Sequence, residues 1–265
     1  MSGQSRAHVW VVIPTYNEAD NIGDLLGAVR EVLPQAVLLV VDDGSPDGTG
    51  EIVRTLAKED PRVRLLERTE KAGLGAAYRA GFAEALGEGA GVVVEMDADF
   101  SHDPHDLPRL LGALEDGAGL AIGSRYVKGG SSPGLAPSRL AISRLGNLYA
   151  ALMLGFGVRD ATAGFRAYRA AVLELIDLSA VRADGYGFQV EMAYRVFQLG
   201  FEIVEVPVEF HHRRAGSSKM SARIVVEAMA LCTAWGVARR VPSVSEERML
   251  AGVDRAIAWL EHRSQ

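Results

Sequence analysis

The chain has 265 residues, 48% of them hydrophobic and 23% charged, with a mean hydropathy of +0.09. These figures suit one large globular domain, or a domain with an appendage, and exclude a disordered, collagen-like or disulfide-stapled chain. The single cysteine, Cys232, rules out an internal disulfide and points to a reducing compartment. The net charge of −6 is unevenly spread: residues 1–119 hold 10 Lys/Arg against 21 Asp/Glu, whereas residues 120–240 hold 15 against 9. An acidic first half suits a cation, and a basic second half suits an anionic partner such as phosphate or a membrane surface. Met1 to His8 is polar, so no signal peptide is expected, and no run of apolar residues is long enough to predict a spanning helix.

Val9 to Ile13 reads as a buried strand stopped by Pro14. Ile22, Leu25, Leu26, Val29 and Leu33 then recur at helical spacing, and Pro34 closes that helix. Ala36 to Val41 is a second strand, ending in Asp42-Asp-Gly-Ser-Pro46, and a helix over 47–59 follows with Ile52, Val53 and Leu56 inward. Val63 to Leu66 is a third strand, and Gly73-Leu-Gly75 opens a helix reaching Leu86. A strand over 91–96, a helix over 106–115 and a strand over 119–123 complete the first half. This repeated alternation predicts an α/β fold, a mostly parallel sheet with helices on both faces.

After Val127 the pattern changes. Lys128 to Gly134 signals a loop, 137–154 is helical, and Gly155 to Tyr168 is Gly-rich and irregular. Helices near 170–178 and 186–199 precede a half-buried strand, Phe201 to Val206, which Pro207 marks as an edge. Ile224 to Ala238 is almost wholly apolar and flanked by Arg223, Arg239 and Arg240. Its length of roughly 22 Å falls short of a hydrocarbon core of roughly 30 Å. Two readings stand: a helix in a membrane interface with its basic flanks on lipid phosphates, or a helix packed on the sheet. An amphipathic helix over 245–261 ends the chain, giving a division into a domain over 1–220 and a helical extension over 221–265.

Polar signatures gather at strand carboxyl ends, where open α/β sheets bind ligands: Pro14–Glu18, Asp42–Ser45, Asp97–Asp99 and Ser124-Arg125. Side chains two apart on an extended segment point the same way, so Asp97 and Asp99 aim at one point. Such a pair suits a hard divalent cation that takes further oxygens from substrate phosphates. His102 and His105 would favour a softer cation as ligands, and are read instead as lining a polar loop. Gly73-Leu-Gly-Ala-Ala-Tyr78 is not a dinucleotide loop, because Tyr78 replaces the third glycine and the motif follows the third strand. Its glycines suit either a diphosphate at a helix start or a tight turn. In the basic half, Arg139-Leu-Ala-Ile-Ser143 and Arg213-Arg-Ala-Gly-Ser-Ser-Lys219 offer guanidinium forks and hydroxyls to phosphate oxygens.

Pro14-Thr-Tyr-Asn-Glu18, Asp42-Asp-Gly-Ser-Pro-Asp-Gly-Thr49, Lys71-Ala-Gly-Leu-Gly75, Met96-Asp-Ala-Asp-Phe-Ser-His102, Gly123-Ser-Arg-Tyr126 and the stretch from Arg213 to Lys219 together resemble the polyprenol (dolichyl) phosphate mannosyltransferases. These are inverting family 2 glycosyltransferases of the GT-A fold, and the resemblance runs from Val9 to Met220. It implies a Rossmann-like, mostly parallel sheet that transfers mannose from GDP-mannose to a polyprenyl phosphate, with Mg2+ or Mn2+ as cofactor. By position, Pro14, Tyr16, Glu18, Asp43 and the Val41 backbone would hold the nucleotide, with Lys71 nearby. Asp97, Ala98 and Asp99 would line the diphosphate, Asp97 and Asp99 beside the metal. Arg125, Arg139, Ser143 and Arg213 would hold the acceptor phosphate, with Arg125, Arg213 and Lys219 also serving the donor. Asp97, Asp99, Arg125 and Arg213 are thus the implied catalytic set. Ser101 stands where some relatives place a metal-ligating Gln. The alternatives are a glucosyltransferase using UDP-glucose and a non-catalytic nucleotide-sugar-binding module. The expected setting is peripheral, on the cytoplasmic face of a membrane, with room for a separate anchor protein and no nucleic-acid partner.

Overall fold

The computed structural model describes residues 8–69, 73–183, 185–211, 222–241, 245, 249–253 and 255. Strands β1 (Val9–Thr15), β2 (Val37–Asp42), β3 (Val63–Glu67), β4 (Val92–Glu95) and β5 (Leu120–Ser124) alternate with helices α1 (Ile22–Val32), α2 (Thr49–Glu59), α3 (Leu74–Gly87) and α4 (Leu107–Glu115). The second half adds α5 (Pro137–Leu154), β6 (Arg166–Arg169), α6 (Ala170–Glu174), α7 (Gly185–Gln198), β7 (Ile203–Pro207) and α8 (Ala222–Arg240). The strands form one sheet in the order β3-β2-β1-β4-β6-β5-β7. The β3-β2-β1-β4 run is parallel, β6 is antiparallel to both β4 and β5, and β7 pairs parallel with β5 at the edge that Pro207 predicts. Strand order reverses between β1 and β4, so a crevice opens at their carboxyl ends.

Alternation along the strands builds a core on each face. Trp10, Val12, Leu39, Val41 and Val93 meet α3, α7 and α8, while Val11, Ile13, Leu38, Val40 and Val94 meet α1, α2 and α4. Gly81 lets α3 settle onto the sheet, since a Cβ there would lie 2.3 Å from Val12 Cγ1 and 3.1 Å from Val41 Cγ2. That close seat brings the start of α3 beside the crevice.

Three expectations need correction. The irregular stretch Gly155 to Tyr168 contains the start of β6, a strand short enough to show no apolar alternation and led by a fully buried Arg166. The helix near 170–178 stops at Glu174, and Asp177 instead caps a short 3-10 turn by accepting from Ser179 N at 3.0 Å. The apolar helix over 224–238 packs against α5 and α7, burying Leu231, Cys232, Ala234 and Trp235. Two arginines of its carboxyl-terminal flank are engaged within the protein. Arg240 donates to Met153 O and Leu152 O at 2.6 Å each, and Arg239 donates to Leu154 O. Those are terminal carbonyls of α5, which lack partners within their own helix and sit at its negative end. The helix expected over 245–261 lies mostly outside the described residues. Among the described residues no helix is long and apolar enough to cross a membrane.

Candidate active site

The carboxyl ends of β1 and β2 are tied together by side chains. Thr15 Oγ1 donates to Asp42 Oδ1 at 2.8 Å, and Ser45 donates its N–H and hydroxyl to the same carboxylate at 2.9 and 2.5 Å. Asp47 accepts from Ala19 N at 3.0 Å and from Thr49 N and Oγ1 at 3.1 and 2.6 Å, while Glu18 N donates to Thr49 Oγ1 at 3.0 Å. The segment Asp42 to Thr49 therefore divides its labour. Asp42, Ser45, Asp47 and Thr49 build the loop, and Asp43 pairs with Arg68 at 2.9 Å. Pro14 and Val41 are register neighbours, so Pro14, Tyr16, Val41 and Asp43 share one corner. Glu18 is anchored beside them by Asn21 Nδ2 at 3.0 Å.

Asp97 and Asp99 follow β4 on the other wall of the crevice. Asp99 is buried and accepts from Ser101 N at 3.0 Å; Asp97 is half-buried, with Tyr78 Oη of α3 at 3.5 Å. Ala98 is buried between them. A Cβ on Gly164 would stand 3.6 Å from Asp97 Oδ2, so the glycine leaves that carboxylate without an apolar neighbour there. Ser101 Oγ is buried with no hydrogen-bond partner among the described residues. No group of three or more His, Cys, Asp or Glu collects among the described residues. His102 is stacked on Phe165 with ring centroids 4.9 Å apart and edged by Phe210 at 5.4 Å. Burial drives its pKa down to about 4 against the pull of Asp99. His105 is exposed and pairs with Asp103 at 2.8 Å. Two carboxylates and an orphaned buried hydroxyl fit a hard cation that retains waters and takes phosphate oxygens.

Beneath this wall lies a buried polar cluster. Glu95 faces Arg166 across the β4–β6 pairing, and both are fully buried. Burial raises the Glu95 pKa to about 7 despite Arg166. Arg166 donates instead to main-chain oxygens: Ala163 O at 2.7 Å, Gln189 O at 2.7 Å and Ala161 O at 2.6 Å.

The basic wall starts where β5 ends. The resemblance gives Arg125 a phosphate to grip, and two of its three guanidinium nitrogens are engaged by Asp160. Nε and Nη2 donate to Asp160 Oδ2 and Oδ1 at 2.7 and 2.6 Å, and Nη2 also reaches Thr162 Oγ1 at 3.1 Å. The Arg125 guanidinium lies over the rings of Tyr126 and Phe210, 5.1 and 5.3 Å from their centroids. Ser143 on α5 accepts from Tyr126 Oη at 2.8 Å, and Arg139, one turn earlier, is exposed. Lys71, Arg213 and Lys219 lie outside the described residues.

A family model for glycosyl transferase family 2 matches residues 10–176. A polyprenol monophosphomannose synthase of Mycolicibacterium smegmatis is 52% identical over 232 residues, covering 87% of this chain and 88% of that protein. The chain belongs to glycosyl transferase family 2. An undecaprenyl-phosphate mannosyltransferase of Micrococcus luteus is 53% identical over 232 residues, covering 88% of this chain and 95% of its own. Among solved structures, glucosyl-3-phosphoglycerate synthase from Mycobacterium tuberculosis, in complex with Mn2+ and UDP-glucose, matches 89% of this chain and 79% of its own with a TM-score of 0.65 at 21% identity. That likeness is one of fold, and it agrees with the GT-A-like, mostly parallel sheet.

Sequence reasoning about this glycosyltransferase missed Arg68, Asn147, Asp160, Thr162 and Arg166. Arg68 directly follows β3, so it belongs to the strand-end positions already under scrutiny. Asp160, Thr162 and Arg166 sit in an Ala/Gly-rich stretch with no periodicity, and the polar residues themselves were the only signal there.

Proposed function

We propose that this transferase moves mannose from GDP-mannose to a polyprenyl phosphate with inversion, releasing GDP. The observation that carries this reading is the identity above one half, across nearly nine tenths of the chain, to proteins named as a polyprenol monophosphomannose synthase and an undecaprenyl-phosphate mannosyltransferase. The crevice supports it. The β1–β2 corner of Pro14, Tyr16, Glu18, Val41 and Asp43 takes the nucleotide, with Lys71. Asp97 and Asp99 hold Mg2+ or Mn2+, which when bound offsets charge on the departing diphosphate. Arg125, Arg139 and Ser143 take phosphate on the opposite wall, and by sequence position Arg213 and Lys219 serve the same phosphates. A phosphate monoester has a second pKa of about 6, so the acceptor oxygen is already anionic at neutral pH and needs positioning rather than deprotonation. Attack opposite the leaving GDP turns an α-linked donor into a β-linked product. The test is a panel of nucleotide sugars with a polyprenyl phosphate, with and without chelator. Transfer from GDP-mannose that a chelator stops is expected; transfer from UDP-glucose alone would overturn the donor.

The same reading places the enzyme peripherally at the cytoplasmic face of a membrane. Arg139 and Ser143 lie on α5, and Ile142, Leu145, Leu148 and Leu152 of that helix are each more than half exposed. At spacings of three and four they form one stripe beside the phosphate-facing side. Val226 and Met229 of α8 are also exposed. An apolar stripe this size suits a lipid surface from which the acceptor phosphate projects. Leu145→Glu combined with Leu148→Glu is expected to abolish flotation with anionic vesicles while sparing transfer to a short-chain acceptor. Undiminished flotation would refute the lipid contact.

A further inference from the structure

We propose that Asp160 is the positioning residue that aims Arg125 at the acceptor phosphate, and that Thr162 and Asn147 extend the same restraint to Ser143. This rests on the reading of the acceptor as a polyprenyl phosphate. Asp160 is 0% exposed, and a carboxylate buried that deeply is tolerated only when paired and hydrogen-bonded. It has both. Its oxygens accept from Arg125 Nε and Nη2, and also from Arg125 N at 2.9 Å, so side chain and backbone of one residue are fixed together. Asp160 is itself seated from the sheet edge, because Glu205 of β7 accepts from Arg159 N and Asp160 N at 2.8 and 2.9 Å.

The restraint then crosses to α5. Asn147 Nδ2 donates to Thr162 Oγ1 at 3.0 Å, and Asn147 Oδ1 accepts from Thr162 N at 3.2 Å. Asn147 Nδ2 also reaches Ser143 O at 2.9 Å, one turn back on the helix. Tyr126, the residue after Arg125, closes the ring through its hydroxyl on Ser143 Oγ at 2.8 Å. Two groups on different elements, a guanidinium after β5 and a hydroxyl on α5, are thereby held in one relative geometry. Neighbouring residues tie the ring to the donor wall: Arg166 fixes Ala161 O and Ala163 O, and Gly164 flanks Asp97. A prepaid geometry of this kind lowers the cost of aligning an anionic nucleophile with the anomeric carbon.

A purely structural ion pair would affect donor and acceptor alike, whereas a positioning pair acts on the acceptor. The experiment measures initial rates with each substrate varied in turn, for the full chain and for Asp160→Asn and Thr162→Val. Asp160→Asn keeps the shape but turns an amide donor toward the guanidinium. Its acceptor KM should rise about tenfold and the GDP-mannose KM by about threefold at most, because Arg125 is one of several donor contacts but a main acceptor contact. Thr162→Val should shift the acceptor KM in the same direction by about threefold. Wild-type acceptor KM in both variants, or a parallel rise in both KM values, would overturn the proposal. If Asp160→Asn does not fold, Thr162→Val decides it alone on the same criterion. Failure of the unaltered enzyme to use polyprenyl phosphate would instead overturn the acceptor reading.

Discussion

Asp97→Asn and Asp99→Asn are each expected to lower kcat on the order of a thousandfold and to remove its dependence on added Mg2+ or Mn2+. On the proposed reading the departing group is a nucleotide diphosphate, and a cation held by these carboxylates would match that charge as the glycosidic bond breaks. Asparagine keeps the volume and one acceptor oxygen. Asp99→Asn can therefore still accept from Ser101 N, and Asp97→Asn still fills the space beside Tyr78 and Gly164. The fold should survive, so thermal unfolding midpoints without metal should match the unaltered enzyme within a degree or two. The two positions should differ in metal affinity. Asp99 is buried and oriented by a backbone N–H, whereas Asp97 is half-buried, so Asp99→Asn should cost more of the affinity for Mn2+, read by its spin resonance signal. Full activity with intact metal dependence in both variants would remove these carboxylates from the site.

The acidic pair was legible in the sequence because its signal is local. The apolar run before them places the strand, but the strand ends at Glu95 and Ala98 and Asp99 lie in a turn, so period two does not set the direction of the two carboxylates. The same locality made β1 to β5 and α1 to α4 readable: each strand holds a short apolar run, although β1 passes through the Pro14 expected to stop it and ends at Thr15, and each helix shows one apolar face. The motif Asp42 to Thr49 was legible as a unit but not in its parts. Separating Asp42, which binds its own loop, from Asp43, which meets Arg68, requires knowing what lies opposite. The basic wall was harder still. Arg125 and Asp160 are 35 residues apart, and no periodicity links them. β6 escaped because pattern reasoning puts arginine outside, whereas Arg166 is buried with its N–H groups spent on carbonyl oxygens. Arg239 and Arg240 were open to two readings for a related reason: basic residues flanking an apolar helix suit lipid phosphates, and they suit equally the terminal carbonyls of a neighbouring helix, here α5.

The buried cluster beneath Asp97 and Asp99 makes a separate prediction about stability. Desolvation raises Glu95 from its ordinary 4.5 to about 7, outweighing the attraction of Arg166. Between those values the folded chain holds a proton that the unfolded chain has released. The stability this group contributes is therefore fully present below pH 4.5 and is lost as pH rises through about 7. A shift of that size corresponds to about 3 kcal/mol once both states are ionised. Glu95→Gln has nearly the same shape, is neutral at every pH, and leaves the contacts of Arg166 with Ala161, Ala163 and Gln189 intact. The variant should exceed the unaltered protein by less than about 1 kcal/mol at pH 5 and by about 3 kcal/mol at pH 8 in urea unfolding with a chelator present. His102 contributes the opposite slope, since burial keeps it neutral down to about 4 and stability falls as the unfolded chain protonates below 6.5. Both proteins share that slope, so their difference isolates Glu95. Parallel stability curves from pH 5 to 8 would show that Glu95 is already ionised in the fold at the lower pH. The carboxylate beneath the catalytic wall would then be stabilised as an anion, with Arg166 outweighing burial.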